Sequence, residues 1–493
     1  MKSGLSVPAI VPFEALAWRS RWLSAVAAAI LGLAPGVAVQ SATPPLVLSR
    51  QQALELGLGA SLNLRSQTLT VEENQALVGL TRSRFLPKLD LVALGTFAQV
   101  NTEVGFVSNL PTIGDLNLNL GANGSALINN TFVNLGLILT FPLVDFGRGP
   151  LQQAAQADLQ AARAEQDEQQ RRSRFEILSR YLSAQLSAAQ IPVWESSLAL
   201  SRRLLSDVNA IRREGLAPRI DTFQAEALLQ SDLQGMAEAQ AQHEIALSGL
   251  ARVLNLPAES RVETSDPLQK DPPWTHSLRD SISQAMEQRP ALESLVQRQQ
   301  AQRAKVQLAR AGRLPSMGLL VGGGVSGNWL GIPSQSASAN VSSSGGSGLA
   351  SPSLSTSSST SGSFTDWGAA ITVRQPLYDG GLTRESIALA QRQAAQAEIT
   401  VAQAQQAIIQ SVETWFATHR AAAAQTTAAR AAITAGERSV QDALLRYRAG
   451  LSPLTELLIA QRNLQVARSA EASAIYRWNL SRAGLEWETG LER

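Results

Sequence analysis

Phe141-Pro142-Leu143-Val144-Asp145-Phe146-Gly147 and Gln375-Pro376-Leu377-Tyr378-Asp379-Gly380-Gly381 are one phrase written twice, 234 positions apart. Each closes an alternating stretch and opens a helical one. Upstream, Phe85-Leu86-Pro87 returns as Arg313-Leu314-Pro315. Downstream, Gly215-Leu216-Ala217-Pro218 returns as Gly450-Leu451-Ser452-Pro453. Pro142 to Gly215 spans 73 positions and Pro376 to Gly450 spans 74. Landmarks in the same order at matching spacing define a tandem duplication, which sets the architecture before any single element is read.

Immediately before the first phrase, Val133, Leu135, Leu137, Leu139 and Phe141 alternate with Asn134, Gly136 and Thr140, with Ile138 breaking the pattern. Before the second, Trp367, Ala369, Ile371, Val373 and Gln375 alternate with Gly368, Ala370, Thr372 and Arg374. A period of two with one apolar face is a half-exposed strand. Lys88–Val100, whose alternation is ambiguous, and Ser316–Val325 are the partner strands, so each copy supplies one hairpin within 88–144 or 316–378. The segments 102–130 (Asn- and Gly-rich) and 326–366 (Ser- and Gly-rich) read as long polar loops.

After each hairpin the period becomes helical, over 150–254 and 382–488, with tip turns at 215–218 and 450–453. Phe175, Leu178, Leu182, Leu186 and Ala189 step by three and four and form one apolar seam, as in a coiled coil. Uninterrupted runs of about 64 residues, at ~1.5 Å each, make helices close to 100 Å long. Pro192 predicts a break in the first of them, as a kink in the helix. Shorter helical segments over 49–59, 62–84, 277–288 and 290–313 open the two copies, with Pro290 suited to a first helical position. The repeats occupy 43–256 and 257–493.

An apolar run from Trp22 to Leu33 follows Arg19 and Arg21 and gives way to small residues, which predicts a signal peptide over 1–42 and an exported protein. Those residues hold three basic side chains against one acidic, so the remainder carries 39 of each and has no net charge to attract nucleic acid. Outside this segment no apolar run is long enough for a membrane helix, which leaves strands as the membrane element. There is no cysteine, hence no disulfide and no lipidated cysteine. His243, His276 and His419 lack metal-ligand spacing, and no nucleophile motif occurs, so no catalytic, cofactor or metal site is expected. Gly322, Gly324 and Gly327 satisfy a dinucleotide-loop pattern, but no helix follows, so they read as a glycine-rich strand.

Four strands cannot close a barrel, and an open edge in hydrocarbon leaves backbone groups without partners. Copies must complete a shared cylinder, and a lumen requires more than the eight strands of a small barrel. The order helix, hairpin, long helix pair, repeated once over about 46–491, resembles the TolC family of outer-membrane efflux proteins. The duplicated phrases above carry that resemblance. It implies a mostly α fold of tandem-duplicated antiparallel coiled-coil helices, with four strands per chain in a twelve-stranded barrel shared by a homotrimer. It also implies a periplasmic helical tunnel, docking to a periplasmic adaptor (membrane fusion) protein and an inner-membrane pump, and outer-membrane lipid around the strands. The function expected is a passive exit duct for efflux or type I secretion. The rival from another class is an exported coiled-coil scaffold or adhesin without a pore, which leaves the paired hairpins unexplained.

The two Gly-Leu-x-Pro turns reverse the chain at the helix ends. By resemblance, Gly215, Leu216, Gly450, Leu451 and Ser452 contact the adaptor. Asp221 and Glu456 each stand six residues past a tip glycine, and threefold symmetry would gather them near the axis as a cation-selective constriction. Tyr447 matches a family position that holds the tip closed. Position 459, acidic in the family, is Ile459 here, and a gating arginine position is Ser452.

Overall fold

The computed structural model describes residues 46–109, 119–215, 217–257, 259–342 and 353–491. The predicted signal peptide and Leu216 lie outside the described residues. The first copy runs β1 (Leu46–Leu48), α1 (Arg50–Ala60), α2 (Leu62–Ser83), β2 (Lys88–Asn109), β3 (Asn119–Val144), α3 (Arg148–Arg213) and α4 (Arg219–Val253). The second runs β4 (Val262–Thr264), α5 (Leu278–Gln288), α6 (Pro290–Ala311), β5 (Ser316–Ser342), β6 (Ser353–Arg374), α7 (Leu382–Arg448) and α8 (Leu454–Thr489). Element for element, the second copy repeats the first. None of the described helices is long and apolar enough to cross a membrane.

Local chemistry sets the boundaries. Ser49 caps α1 in a reciprocal box with Gln52, and Ser277 accepts the Asp280 amide at the start of α5. Pro290 occupies the first turn of α6, where its missing N–H costs nothing. Asp145 and Asp379 each bind back to the glycine amide two residues on, at 2.8 and 3.1 Å, turning the strand end into the helix start in both copies.

The four long strands form one antiparallel sheet in the order β2-β3-β5-β6. Register fixes the faces. Leu91, Leu137, Gly323 and Trp367 stand in one row, and Gly95, Val133, Gly327 and Ser363 in another. Leu89, Leu91, Phe97, Val133, Leu135, Leu137, Val325, Trp367, Ile371 and Val373 are exposed on that shared face. The opposite face carries Asp90, Thr96, Asn134, Ser326, Asp366 and Thr372, with an Asn134 Nδ2 to Ser326 Oγ hydrogen bond of 2.8 Å. Val92, Leu94 and Ile138 also lie on this second face, which is why β2 and position 138 obscured the alternation. Gly324 sits where a Cβ would be 2.6 Å from the Leu135 carbonyl, so strand contact accounts for a glycine of the loop-like motif.

The strands are longer than expected. β2 and β3 continue into 102–130, and β5 and β6 into 326–366. A ladder is held by backbone groups, and Ser, Thr and Asn need no apolar burial to stay in it, so a polar composition did not mark a loop.

Beneath the sheet the helices keep the strands' order: α2 packs on α3, α3 on α6, and α6 on α7. Each of these helices joins its strand through a few residues. Farther along, α3 pairs with α4 and α7 with α8. α3 and α7 span 66 and 67 residues, about 100 Å each. α3 continues as helix through Pro192, so the proline does not end it. Pro192 is exposed, so water can serve the carbonyl it frees.

α3 carries two apolar stripes rather than one. Leu178 and Leu182, with Phe175, pack on Tyr476, Leu480 and Ala483 of α8. Ile177, Tyr181 and Ala184 pack with Leu48, Ala53, Leu250 and Val262, closing a core around the β1–β4 pair. Tyr181 Oη donates to Asp266 at 2.9 Å and lies 3.1 Å from the Leu48 carbonyl. In both long hairpins a tryptophan fills a glycine gap, Trp194 over Gly235 and Trp415 over Gly484.

Candidate functional site

Two surfaces concentrate the sequence-derived site residues: the free ends of the long hairpins and the apolar face of the sheet. At the hairpin ends, Gly215 and Gly450 take left-handed φ values of 80° and 72°. The Gly450 amide bonds to Tyr447 O and the Leu451 amide to Arg446 O, a Schellman closure of α7. Pro218 and Pro453 then cap α4 and α8 at φ −72° and −70°. Asp221 and Glu456 each fall in the first turn beyond, where a carboxylate also offsets the positive helix end.

The two hairpins are fused just above these turns. Leu204, Val208 and Ala225 of the first interlock with Val440, Ala443, Tyr447, Leu454, Leu457 and Ala460 of the second. From this cluster the buried Tyr447 donates its hydroxyl to Asp221 Oδ2 at 3.0 Å, joining α7 to α4. Burial first, and then the Asp221 carboxylate, raises the Tyr447 pKa above the ordinary phenol range, which keeps the donor proton in place. The structure therefore brings two of the three predicted gate residues together, and Asp221 is engaged within its own protomer.

Glu456 is not part of that contact. It is exposed on α8, turned away from buried Leu454 and Leu457, and Ile459 follows one turn later at 61% exposure. Among the residues predicted to contact an adaptor, Gly215 and Gly450 are exposed, Leu451 is 79% exposed, and the Ser452 hydroxyl is buried without a hydrogen-bond partner.

A further contact at the tip was not read from the sequence. Arg448 Nη2 lies 2.6 Å from Asp207 Oδ2 and joins α7 to α3. Farther from the turns, Arg468 Nη1 bonds Ser196 Oγ at 3.0 Å, and Ser469 Oγ donates to Gln190 Oε1 at 2.8 Å. A lone arginine and a lone aspartate, 241 positions apart, carry no sequence signal that distinguishes them from solvated surface charges.

On the sheet, the apolar face is bounded above by the row of Phe97, Thr131 and Trp329 and below by the strand ends at Phe141 and Val373. About ten residues at ~3.3 Å, tilted by roughly 40°, give a band about 25 Å tall, the apolar height of outer-membrane barrels. Both lateral edges, β2 and β6, lack a strand partner among the described residues. No His, Asp and Glu grouping able to hold a metal occurs among the described residues.

Comparison with known proteins accords with this geometry. A model of the outer membrane efflux protein family matches residues 53–256 and 281–490, one match for each copy. Protein CyaE of Bordetella pertussis (strain Tohama I) is 27% identical over 423 residues, covering 85% of this chain and 79% of that protein. A membrane protein from Pseudomonas aeruginosa superposes with a TM-score of 0.70 at 19% identity, over 90% of this chain and 92% of its own. The Campylobacter jejuni CmeC outer membrane channel gives a TM-score of 0.69 at 17% identity, over 90% and 85% of the two chains. With the duplicated family match, the apolar strand band and the paired hairpins in agreement, the chain belongs to the outer membrane efflux protein family.

Proposed function

We propose that three copies close a twelve-stranded barrel continuous with a twelve-helix tunnel, and that the trimer is a passive exit duct gated at its hairpin tips. The carrying observation is that sheet and helical layer share one lateral order and end on unpartnered edges, β2 over α2 and β6 over α7. Leu62, Leu69 and Leu80 on α2, and Leu382, Leu389 and Ile399 on α7, are exposed apolar residues that an adjoining copy would cover. Two copies would give eight strands, a barrel filled by its own side chains, whereas twelve leave a lumen.

At the tip, the Tyr447–Asp221 bond holds the two hairpins of each protomer together. A periplasmic adaptor protein docking at Gly215, Leu216, Gly450, Leu451 and Ser452 would release it, and an inner-membrane pump would supply the energy. Glu456, exposed where Asp221 is engaged, is the carboxylate available to a cation-selective constriction, and Asp221 joins it when the tip opens. Heat-modifiable trimers conducting in planar bilayers, with Tyr447→Phe and Asp221→Asn raising the open probability, are the expected result. A non-conducting monomer would instead match a pore-free scaffold.

A further inference from the structure

We propose that Arg448 and Asp207 form a second latch on the tip, distinct from the Tyr447–Asp221 bond and carrying the salt-sensitive share of closure. The inference rests on the reading of the tips as a gate. Tyr447 and Arg448 are consecutive in the last turn of α7, so their side chains leave the helix about 100° apart. Tyr447 reaches Asp221 on α4 and Arg448 reaches Asp207 on α3. One point on α7 is thereby tied to both members of the opposite hairpin, and α7 cannot swing from either without breaking a bond.

The pairing is selective. Arg203 stands four residues before Asp207 on α3, a helical neighbour of opposite charge, yet it is exposed and has no acidic partner among the described residues. Asp207 pairs across to α7 instead. Arg446, two residues before Arg448, bonds Asp442 at 2.9 Å within its own helix and links nothing. Position 452 offers Ser452 and no cation, so Arg448 is the cation in the last turn of α7 that crosses to the other hairpin.

The two latches differ in surroundings. Tyr447 is buried in the tip cluster, whereas the Arg448 and Asp207 side chains are 53% and 35% exposed. Mobile ions therefore screen the second latch far more than the first.

Open probability in planar bilayers, followed from about 0.1 M to about 1 M KCl, tests the assignment, since the screening length falls from about 10 Å to about 3 Å over that range. The wild-type trimer should open more as salt rises. Arg448→Met and Asp207→Asn should each raise the open-to-closed ratio at low salt by about two- to fivefold per copy and flatten its salt dependence. The exchange Asp207→Arg with Arg448→Asp should restore both closure and slope. Tyr447→Phe should open the channel while keeping the slope. An Arg448→Met channel that retains the wild-type slope, or an exchange no better than the single variants, overturns the second latch. If Tyr447→Phe and Arg448→Met both leave the open probability unchanged, the gate reading itself falls.

Discussion

Replacing Leu137 with arginine tests the face assignment on which membrane insertion depends. Leu137 is 49% exposed, in a row with Leu91, Gly323 and Trp367, six residues from the Thr131 boundary and four from Phe141. It thus sits near the middle of the apolar band. An arginine facing lipid at the midplane costs about 2–4 kcal/mol. That is about 30- to 1000-fold in the insertion equilibrium for each copy, and three copies compound it to roughly 6–12 kcal/mol per trimer. The adjacent Ile138 pairs with Asp90 and points to the other face, so Ile138→Arg should insert normally and gain a nearby carboxylate. Urea titration of folding into lipid vesicles, with recovery of heat-modifiable trimers from outer membranes, measures both variants. Equal tolerance of the two, or the reverse ranking, would refute the face assignment and with it the barrel.

Four further substitutions concern the scaffold. Gly450→Ala should destabilise by about 1–2 kcal/mol because φ is 72°, although nothing lies within 4 Å of the new methyl. Gly79→Ala, equally unobstructed but inside α2, should instead stabilise by about 0.5–1 kcal/mol, and urea unfolding compares them. In Gly484→Ala the methyl would stand 2.5 Å from the Trp415 ring, which also packs edge-on against Phe175, and overpacking of this kind costs about 1–3 kcal/mol in thermal unfolding. Tyr181→Phe should cost about 1–2 kcal/mol at neutral pH through its lost bond to Asp266. Burial, then Asp266, pushes the Tyr181 pKa up to about 12, so the wild-type advantage is full below the ordinary phenol value of about 10 and disappears as pH climbs through 12.

The repeat made much of the fold legible, because each landmark could be checked against its twin. β3 was readable in detail because Val133 to Phe141 place apolar residues on one face and polar ones opposite. β2 was not, since Val92 and Leu94 add apolar side chains to the second face. The strand extensions were hidden for a different reason: backbone pairing leaves no mark on the Ser, Thr and Asn that take part in it. Leu178 and Leu182 announced one stripe of α3, but Ile177 and Tyr181 serve a second neighbour, and a single seam cannot reveal how many partners a helix has. At the tip, Gly215 and Gly450 were evident from turn chemistry. The meeting of Tyr447 with Asp221 is a contact 226 positions apart that only the fold creates. The structure leaves Glu456 outside it, and Arg448 with Asp207 had no pattern to betray them.

The matching order of strands and helices has a mechanical consequence. Each strand runs into its own helix through only a few residues, so in the proposed duct the wall is built of staves that pass from barrel to helical tunnel without changing neighbours. A stave cannot be lost at one level and kept at the other, because the missing member would strand unpaired backbone in lipid. The bore along this stretch is consequently set once, by the number of staves. Diversification is left to the side chains lining it and to the hairpin ends.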